Sequence, residues 1–370
     1  MAVSKPILLV GEAHGQNEAR IGAGLVGPSG IELLKMLNEA EVITLTAQDY
    51  KLFKDYYNTG KSEYISQIWY NHPEVIRSNV FNLHPPGDKL DNFCGDKSEA
   101  IPGWPKLGTI GWIRAEFEPQ LERLGDEIIA ADPNLIICLG NTPLWALGGR
   151  TGVSKLRGTT FLSTHTVSNY KCLVAYHPAA VIRQWELRPV TIIDLAKAPH
   201  EATFPEVRRP NCEIWIDPDL EDIERFINEH IIGCKILSTD IETAGTRVTC
   251  IGFAPRHDLA IVIPFDDERK PNGSYWPTAT HERSAWEIVR RLLTDRSIPK
   301  VFQNGLYDIA FLWRSYGIPT FGAKEDTMLL HHALLPESLK SLGFMGSVYT
   351  DHGPWKSERK GVDQTIKRDA

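Results

Sequence analysis

The chain has 370 residues, enough for two ordinary domains, and its 42% hydrophobic and 24% charged residues are globular proportions. The formal net charge of −7 excludes a chain-wide basic field, so any grip on a polyanion must be local, from patches such as Arg183, Arg188, Arg208, Arg209 or Lys356–Lys360. The sequence reads without a signal peptide and without an apolar run long enough to span a bilayer; no membrane partner and a cytoplasmic setting, bacterial or of a phage-infected host, are expected.

Pro6–Val10 is a short apolar strand, broken by Gly11-Glu12-Ala13-His14-Gly15. A glycine-rich loop covers Gly22–Gly30, and Ile31–Leu37 has apolar residues at helical spacing. Asp49–Ile68 reads as helix, rich in Tyr and Lys. Val75–Phe81 is a second strand, and Asp88–Leu107 is loop-like. Ile113–Ala131 has helical spacing and stops at Asp132-Pro133. Leu135–Leu139 is a third strand that enters a helix running through Leu147. Lys171–Tyr176 is a fourth, stopping at His177-Pro178. The repeated order of strand, polar loop and helix predicts an α/β unit around a mostly parallel sheet. Ligands of such sheets sit beyond the carboxyl ends of the strands. Glu12, Asn79, Asn141 and His177 fall at or near those ends, and a pocket shared by Glu12, Asn79 and His177 is expected.

His200–Pro210 has no periodicity and reads as a linker, dividing a domain over 1–199 from another over 211–370. Glu213–Asp217 and Leu220–His230 introduce the second domain as strand and helix. The apolar run Cys234–Leu237 then continues into Ser-Thr-Asp-Ile-Glu-Thr. Alternation puts Asp240 and Glu242 on one strand face, about 7 Å apart. Adjacent carboxylates repel unless a cation sits between them, and hard oxygen ligands suit Mg²⁺ or Mn²⁺. A solvated strand face is the plainer alternative. Further on, Val301-Phe302 ends a strand and leads through Asn304 into a helix bearing Tyr307 and Asp308, which can face the strand acids. The six cysteines are scattered without a C-x-x-C, as reduced thiols are.

Two resemblances emerge from these residues. Asp240-Ile241-Glu242, then Asn304-x-x-Tyr307-Asp308, then Asp326-Thr327-Met328-Leu329-Leu330 resemble the DEDD-type 3′→5′ exonucleases, especially the proofreading domains of family A DNA polymerases. The resemblance implies a mixed-sheet RNase H-like fold and a two-metal site held by Asp240, Glu242 and Asp308, with Asn304 and Tyr307 near the substrate. The family's third motif, Tyr-x-x-x-Asp or His-x-x-x-x-Asp, is not found; Asp351, Asp363 and Asp369 lack the partner at that spacing. Truncation, a substitute aspartate, or a domain that binds 3′ ends without cutting them each account for the gap, and poor nuclease activity is expected of the chain as it stands.

Gly11-Glu12-Ala13-x-Gly15, Gly24–Gly30, Asn79–Pro86, Leu156-Arg157-Gly158 and His177-Pro178-Ala179-Ala180 resemble, in order, the uracil-DNA glycosylase superfamily and its thermophile-type family 4. The implied fold is a three-layer parallel-sheet α/β domain. The implied roles are Glu12 steadying the sugar cation and orienting water, His177 hydrogen-bonding the departing base, and Asn79 reading the base edge. Gly11 and Gly15 would let backbone approach the nucleotide. The sequence departs from the family in four places. Leu83 stands where a cluster cysteine is expected, so no iron–sulfur cluster is predicted; Leu25 replaces the stacking aromatic; His14 replaces a proline; and His84 replaces an arginine.

The combined expectation is a DNA replication or repair protein with exonuclease and glycosylase-like domains, DNA as partner, and a polymerase acting as a separate chain. The rivals are an active glycosylase with a non-catalytic DNA clamp, and a non-catalytic replication accessory.

Overall fold

The computed structural model describes residues 5–352. The chain divides into two compact units: one runs to Arg209 and takes in the segment from Gly343 onward, and the other is Pro210–Leu342.

In the first unit, β1 (Ile7–Ala13) and β2 (Val75–Phe81) come first, followed by a small ribbon of β3 (Cys94–Gly95) and β4 (Trp112–Ile113). Next come β5 (Leu135–Leu139), β6 (Thr160–Thr164) and β7 (Ser168–Ala175). The main sheet has the order β2-β1-β5-β7-β6, parallel except for the antiparallel edge strand β6. Alternation in β1 sends Ile7 and Leu9 into one apolar cluster and Leu8 and Val10 into another. The helices Pro28–Glu39 and Ala47–Thr59 cover the first face, and Glu118–Ala131 and Asn141–Gly148 the second. Strands buried on both faces read as continuous apolar runs, which is why β1 and β5 were visible in the sequence.

The structure differs from the sequence reading at several places. Asp49–Ile68 is two helices, Ala47–Thr59 and Glu63–Tyr70, because Gly60 takes a left-handed conformation (φ 70°) and ends the first. The helix expected from Ile113 begins at Glu118, with a proline in its first turn. His200–Pro210 is largely packed rather than a bare linker. It overlaps a short helix, Ala198–Glu201, buries Ala202 and Phe204, and the carbonyl of Ala202 accepts from Asn134 Nδ2 at 2.9 Å. Burial of the aromatic Phe204 outweighs the absence of periodicity.

The segment after Gly343, expected in the second domain, groups with the first unit. Arg157 forms a buried, two-pronged pair with Asp194 and donates from Nη1 to Ser347 Oγ at 2.9 Å. Lys197 Nζ donates to the carbonyls of Ser347 and Thr350 at 3.0 and 3.1 Å. These donors hold the segment to the first unit.

The second unit contains β8 (Glu213–Trp215), β9 (Leu237–Ala244), β10 (Arg247–Arg256), β11 (Leu259–Pro264), β12 (Lys300–Phe302) and β13 (Ala323–Asp326). Its sheet order is β13-β12-β9-β10-β11-β8. The β9–β10–β11 meander is antiparallel, and β12, β13 and β8 add in parallel, giving a mixed sheet. Leu237 and Ile241 of β9 pack with Ile251, Phe253, Ile261 and Val289. The alternate residues Asp240 and Glu242 therefore face solvent.

Candidate nucleic-acid sites

The first unit has a cavity of about 430 Å³ beyond the carboxyl ends of β1 and β2. Neighbouring β2 and β5 leave β1 in opposite directions, and that divergence opens a crevice at the end of β1. Glu12, Gly15, Leu25, Asn79 and His177 all line the cavity. Asn141 does not. Its Oδ1 accepts from the backbone N–H groups of Gly152 and Val153 and closes a turn.

Asn79 is 2% exposed, and its Nδ2 has no hydrogen-bond partner. A buried amide donor left unpaired is costly, so a polar acceptor in the cavity would be rewarded. Glycines make room for this amide. A Cβ on Gly11 would lie 2.3 Å from Asn79 Oδ1, and one on Gly24 would lie 2.8 Å from Nδ2. Any side chain at either position would displace it.

His177 Nδ1 accepts from the backbone N–H of Ala179 at 3.1 Å. That bond places the proton of the neutral ring on Nε2, the nitrogen nearer Gly11 and Asn79. Burial, aided by the positive charge of Arg183, lowers the His177 pKa to about 4. The imidazole is thus a neutral donor at physiological pH. Glu12 Oε2 accepts from Thr142 Oγ1 at 2.6 Å, which fixes one carboxylate oxygen.

Sequence reasoning missed Glu18. Its Oε1 accepts from the N–H groups of Val26 and Gly27 at 3.2 and 3.0 Å, bracing the glycine-rich loop. Leu25 on that loop has φ 58°, a strained conformation for a leucine, and its carbonyl accepts from Trp69 Nε1 at 2.8 Å. At His14 the backbone N–H donates to the carbonyls of Phe81 and Leu83, bonds that a proline cannot make.

In the second unit the helix Leu306–Tyr316 brings Asp308 against β9. Asp308 is buried, and its Oδ1 accepts from the backbone N–H of Ile241 at 3.1 Å, between Asp240 and Glu242 in the chain. Burial raises its pKa, and the charges of Asp326 and Glu242 add to the rise. Tyr307 Oη lies 2.8 Å from Thr243 Oγ1, a second tie between this helix and β9.

Asp326 organises the approach. It caps the helix Thr327–Leu334 by accepting from Met328 and Leu329, and it also accepts from Asn304 at 3.1 Å and Gly305 at 2.8 Å. Asn304 has φ 60°, and this turn launches the helix that carries Asp308. An Asp directly before a helix is a capping signal in sequence; its reach to Asn304 is not.

Among the described residues no three His, Cys, Asp or Glu side chains gather closely enough to enclose a metal ion. The two-metal cluster expected of Asp240, Glu242 and Asp308 is therefore not assembled as such. Like charges oppose that convergence until a cation offsets them. The donor set nevertheless fits a hard divalent cation: two carboxylates lie on the exposed strand face, and a third is anchored by its other oxygen. The remaining tail aspartates, Asp363 and Asp369, lie outside the described residues.

The chain thus joins a doubly covered parallel sheet, with a polar cavity at its strand ends, to a mixed sheet presenting paired acids. Residues 2–198 match the uracil DNA glycosylase superfamily model, and the chain belongs to that superfamily. Residues 217–356 match the 3′-5′ exonuclease family model. A curated relative is a DNA polymerase of Bacillus phage SP01, 24% identical over 248 residues. The match takes in 58% of this chain and 25% of the polymerase, so the chain spans about a quarter of its relative. Solved structures with similarity include the EXD2 exonuclease domain soaked in Mn and GMP, at 15% identity and TM-score 0.25, covering 33% of this chain and 59% of that one. Another is Brucella melitensis NrnC with bound Mg²⁺, at 20% identity and TM-score 0.26, covering 40% and 64%. No helix among the described residues is long and apolar enough to cross a membrane.

Proposed function

We infer that the chain is a DNA-processing hydrolase whose second unit removes nucleotides from 3′ ends with divalent metal ions. The observation that carries this reading is the bond from Ile241 N–H to Asp308, which ties the helix acid to the β9 backbone between the two strand acids. Asp240, Glu242 and Asp308 are the assigned ligands of Mg²⁺ or Mn²⁺. A metal ion bound there supplies charge neutralisation and activates water. Asp308 offers one oxygen while Ile241 holds the other, and Tyr307 and Asn304 border the incoming strand.

The test is Mn²⁺-dependent digestion of 5′-labelled single-stranded DNA by the wild type, Asp240→Ala and Asp308→Asn. Slow digestion by the wild type, abolished in both variants, is expected. Undiminished digestion by Asp308→Asn would remove that residue from the site. A form extended beyond Ala370, compared in the same assay, asks whether a further acid raises the rate.

A second activity is favoured by the unpaired Asn79 amide facing a cavity that also holds His177 and Glu12. In this reading Asn79 donates to a base carbonyl. His177 Nε2–H steadies the negative charge on the departing base, and Glu12 steadies the sugar cation. Alkali-labile sites in uracil-containing DNA, lost in His177→Ala, are the expected result. A polymerase acting as a separate chain, in a bacterial or phage-infected cytoplasm, completes the proposal.

A further inference from the structure

The helix Ala47–Thr59 has two faces with different demands. Its inner face buries Asp49, Leu52 and Phe53, and Thr46 and Asp49 close a capping box at its start. Packing is therefore satisfied without the outer face. That outer face carries Tyr50, Lys54 and Tyr57 at i, i+4 and i+7, one stripe of the helix, with Lys51 beside it. The two rings are 55% and 63% exposed. Among the described residues Lys51, Lys54 and Lys61 make no ion pair; Asp55, one turn on from Lys51, is half-buried, and the acids Glu63 and Glu39 are taken up by Arg20 and Arg188. In a chain of net charge −7, unpaired lysines interleaved with exposed rings are a local exception.

The stripe is tied to an element that lines the cavity, the helix Pro28–Glu39, whose first residues Pro28 and Ser29 border it. Tyr57 packs edge-on against Tyr56, with ring centroids 5.7 Å apart, and its Oη accepts from Lys35 Nζ at 3.4 Å. Burial raises the Tyr56 pKa, with a contribution from the Glu18 carboxylate, which lines the cavity. Arg20, on the helix Gln16–Ile21 whose first turn also lines the cavity, reaches Glu63 at 3.7 Å.

We propose that the outer face of the helix Ala47–Thr59 holds a single-stranded nucleic-acid segment flanking the nucleotide that enters the first unit's cavity. This rests on reading that cavity as a nucleotide site. Lysines meet the phosphates, and Tyr50 and Tyr57 stack on bases. A duplex offers no base faces to rings standing off a helix, so the occupant is an unpaired strand. Anionic lipid is the competing polyanion, but it has no planar face for the rings.

Full-length protein in EDTA, titrated onto a labelled, uracil-free single strand at several KCl concentrations, tests this by fluorescence anisotropy. Lys51→Ala/Lys54→Ala should weaken binding and flatten the slope of log K against log salt by about 1.4, two phosphates at about 0.7 each. Tyr50→Ala/Tyr57→Ala should weaken binding about ten-fold with the slope unchanged. Melting temperatures equal to wild type exclude misfolding, since all four side chains are exposed. Wild-type affinity in both double variants overturns the proposal, as does an effect confined to anionic vesicles. If the wild type excises no uracil while the variants still lose strand binding, the base-excision reading fails and this surface stands.

Discussion

His177 is a side chain whose protonation the fold controls, and acidification measures that control. The ring is enclosed by protein, with part of its edge reaching the cavity, and its Nδ1 is occupied by the Ala179 N–H. Protonation would break that bond and bury a cation near Arg183. The pKa is accordingly lowered from 6.5 to about 4. Between those values the unfolded chain binds a proton that the folded chain refuses. The stability contribution is therefore complete above pH 6.5 and is lost as pH falls toward 4. A difference of 2.5 units corresponds to about 3 kcal/mol, and nearer 2 once cavity water screens the ring. Two measurements check this. The His177 Cε1–H resonance should titrate with a midpoint near 4. Stability of the first unit, from hydrogen exchange of β5 and β7 amides, should fall more steeply between pH 6.5 and 4.5 in wild type than in His177→Gln. A midpoint above about 6 would refute the argument that burial keeps the ring neutral.

Asp326→Ala should destabilise the second unit by about 2–4 kcal/mol, since four N–H groups lose their acceptor, and exchange should quicken first at Asn304 and Gly305. Asp326→Asn, which keeps one acceptor oxygen, should lie between wild type and Asp326→Ala. Arg157→Ala should cost the first unit about 3–5 kcal/mol, because Asp194 would remain buried without its partner. Urea unfolding read from exchange of β7 amides measures it, and a cost below about 1 kcal/mol would mean that the pair contributes nothing net.

What the sequence made legible follows physical lines. Apolar runs such as Leu135–Leu139 announce strands buried on both faces, and parallel-sheet geometry then places functional groups at their carboxyl ends. The cavity shared by Glu12, Asn79 and His177 was readable for that reason, as was the exposure of Asp240 and Glu242 by alternation. Glu18 was not, because its partners are the backbone N–H groups of a loop whose path tertiary packing decides. Leu25 gave no hint of its left-handed conformation, since leucine has no preference for it. Gly60 and Pro119 did carry boundary signals, one a helix stop and the other a helix start, and periodicity alone overran both. The return of Ser347 to Arg157 joins residues 190 positions apart, beyond the reach of any local rule.

The two sites solve opposite electrostatic problems. In the cavity, burial keeps His177 neutral, and the buried donor Asn79 Nδ2 has no partner of its own. At β9 the fold instead brings acids toward one another and spends part of their charge on backbone. Asp326 is committed to four N–H groups, and Asp308 has one oxygen committed to Ile241. Burial and the neighbouring charges of Asp326 and Glu242 still push the Asp308 pKa up, so its carboxylate remains under-compensated. On the proposed reading, a divalent cation held by Asp308 and the strand acids would relieve that deficit more effectively than another backbone donor could. The exposed acids can adjust to an ion while the buried one is already fixed. If the proposed site holds, Mn²⁺ affinity measured by titration calorimetry should fall most in Asp308→Asn, the acid whose position the fold already sets.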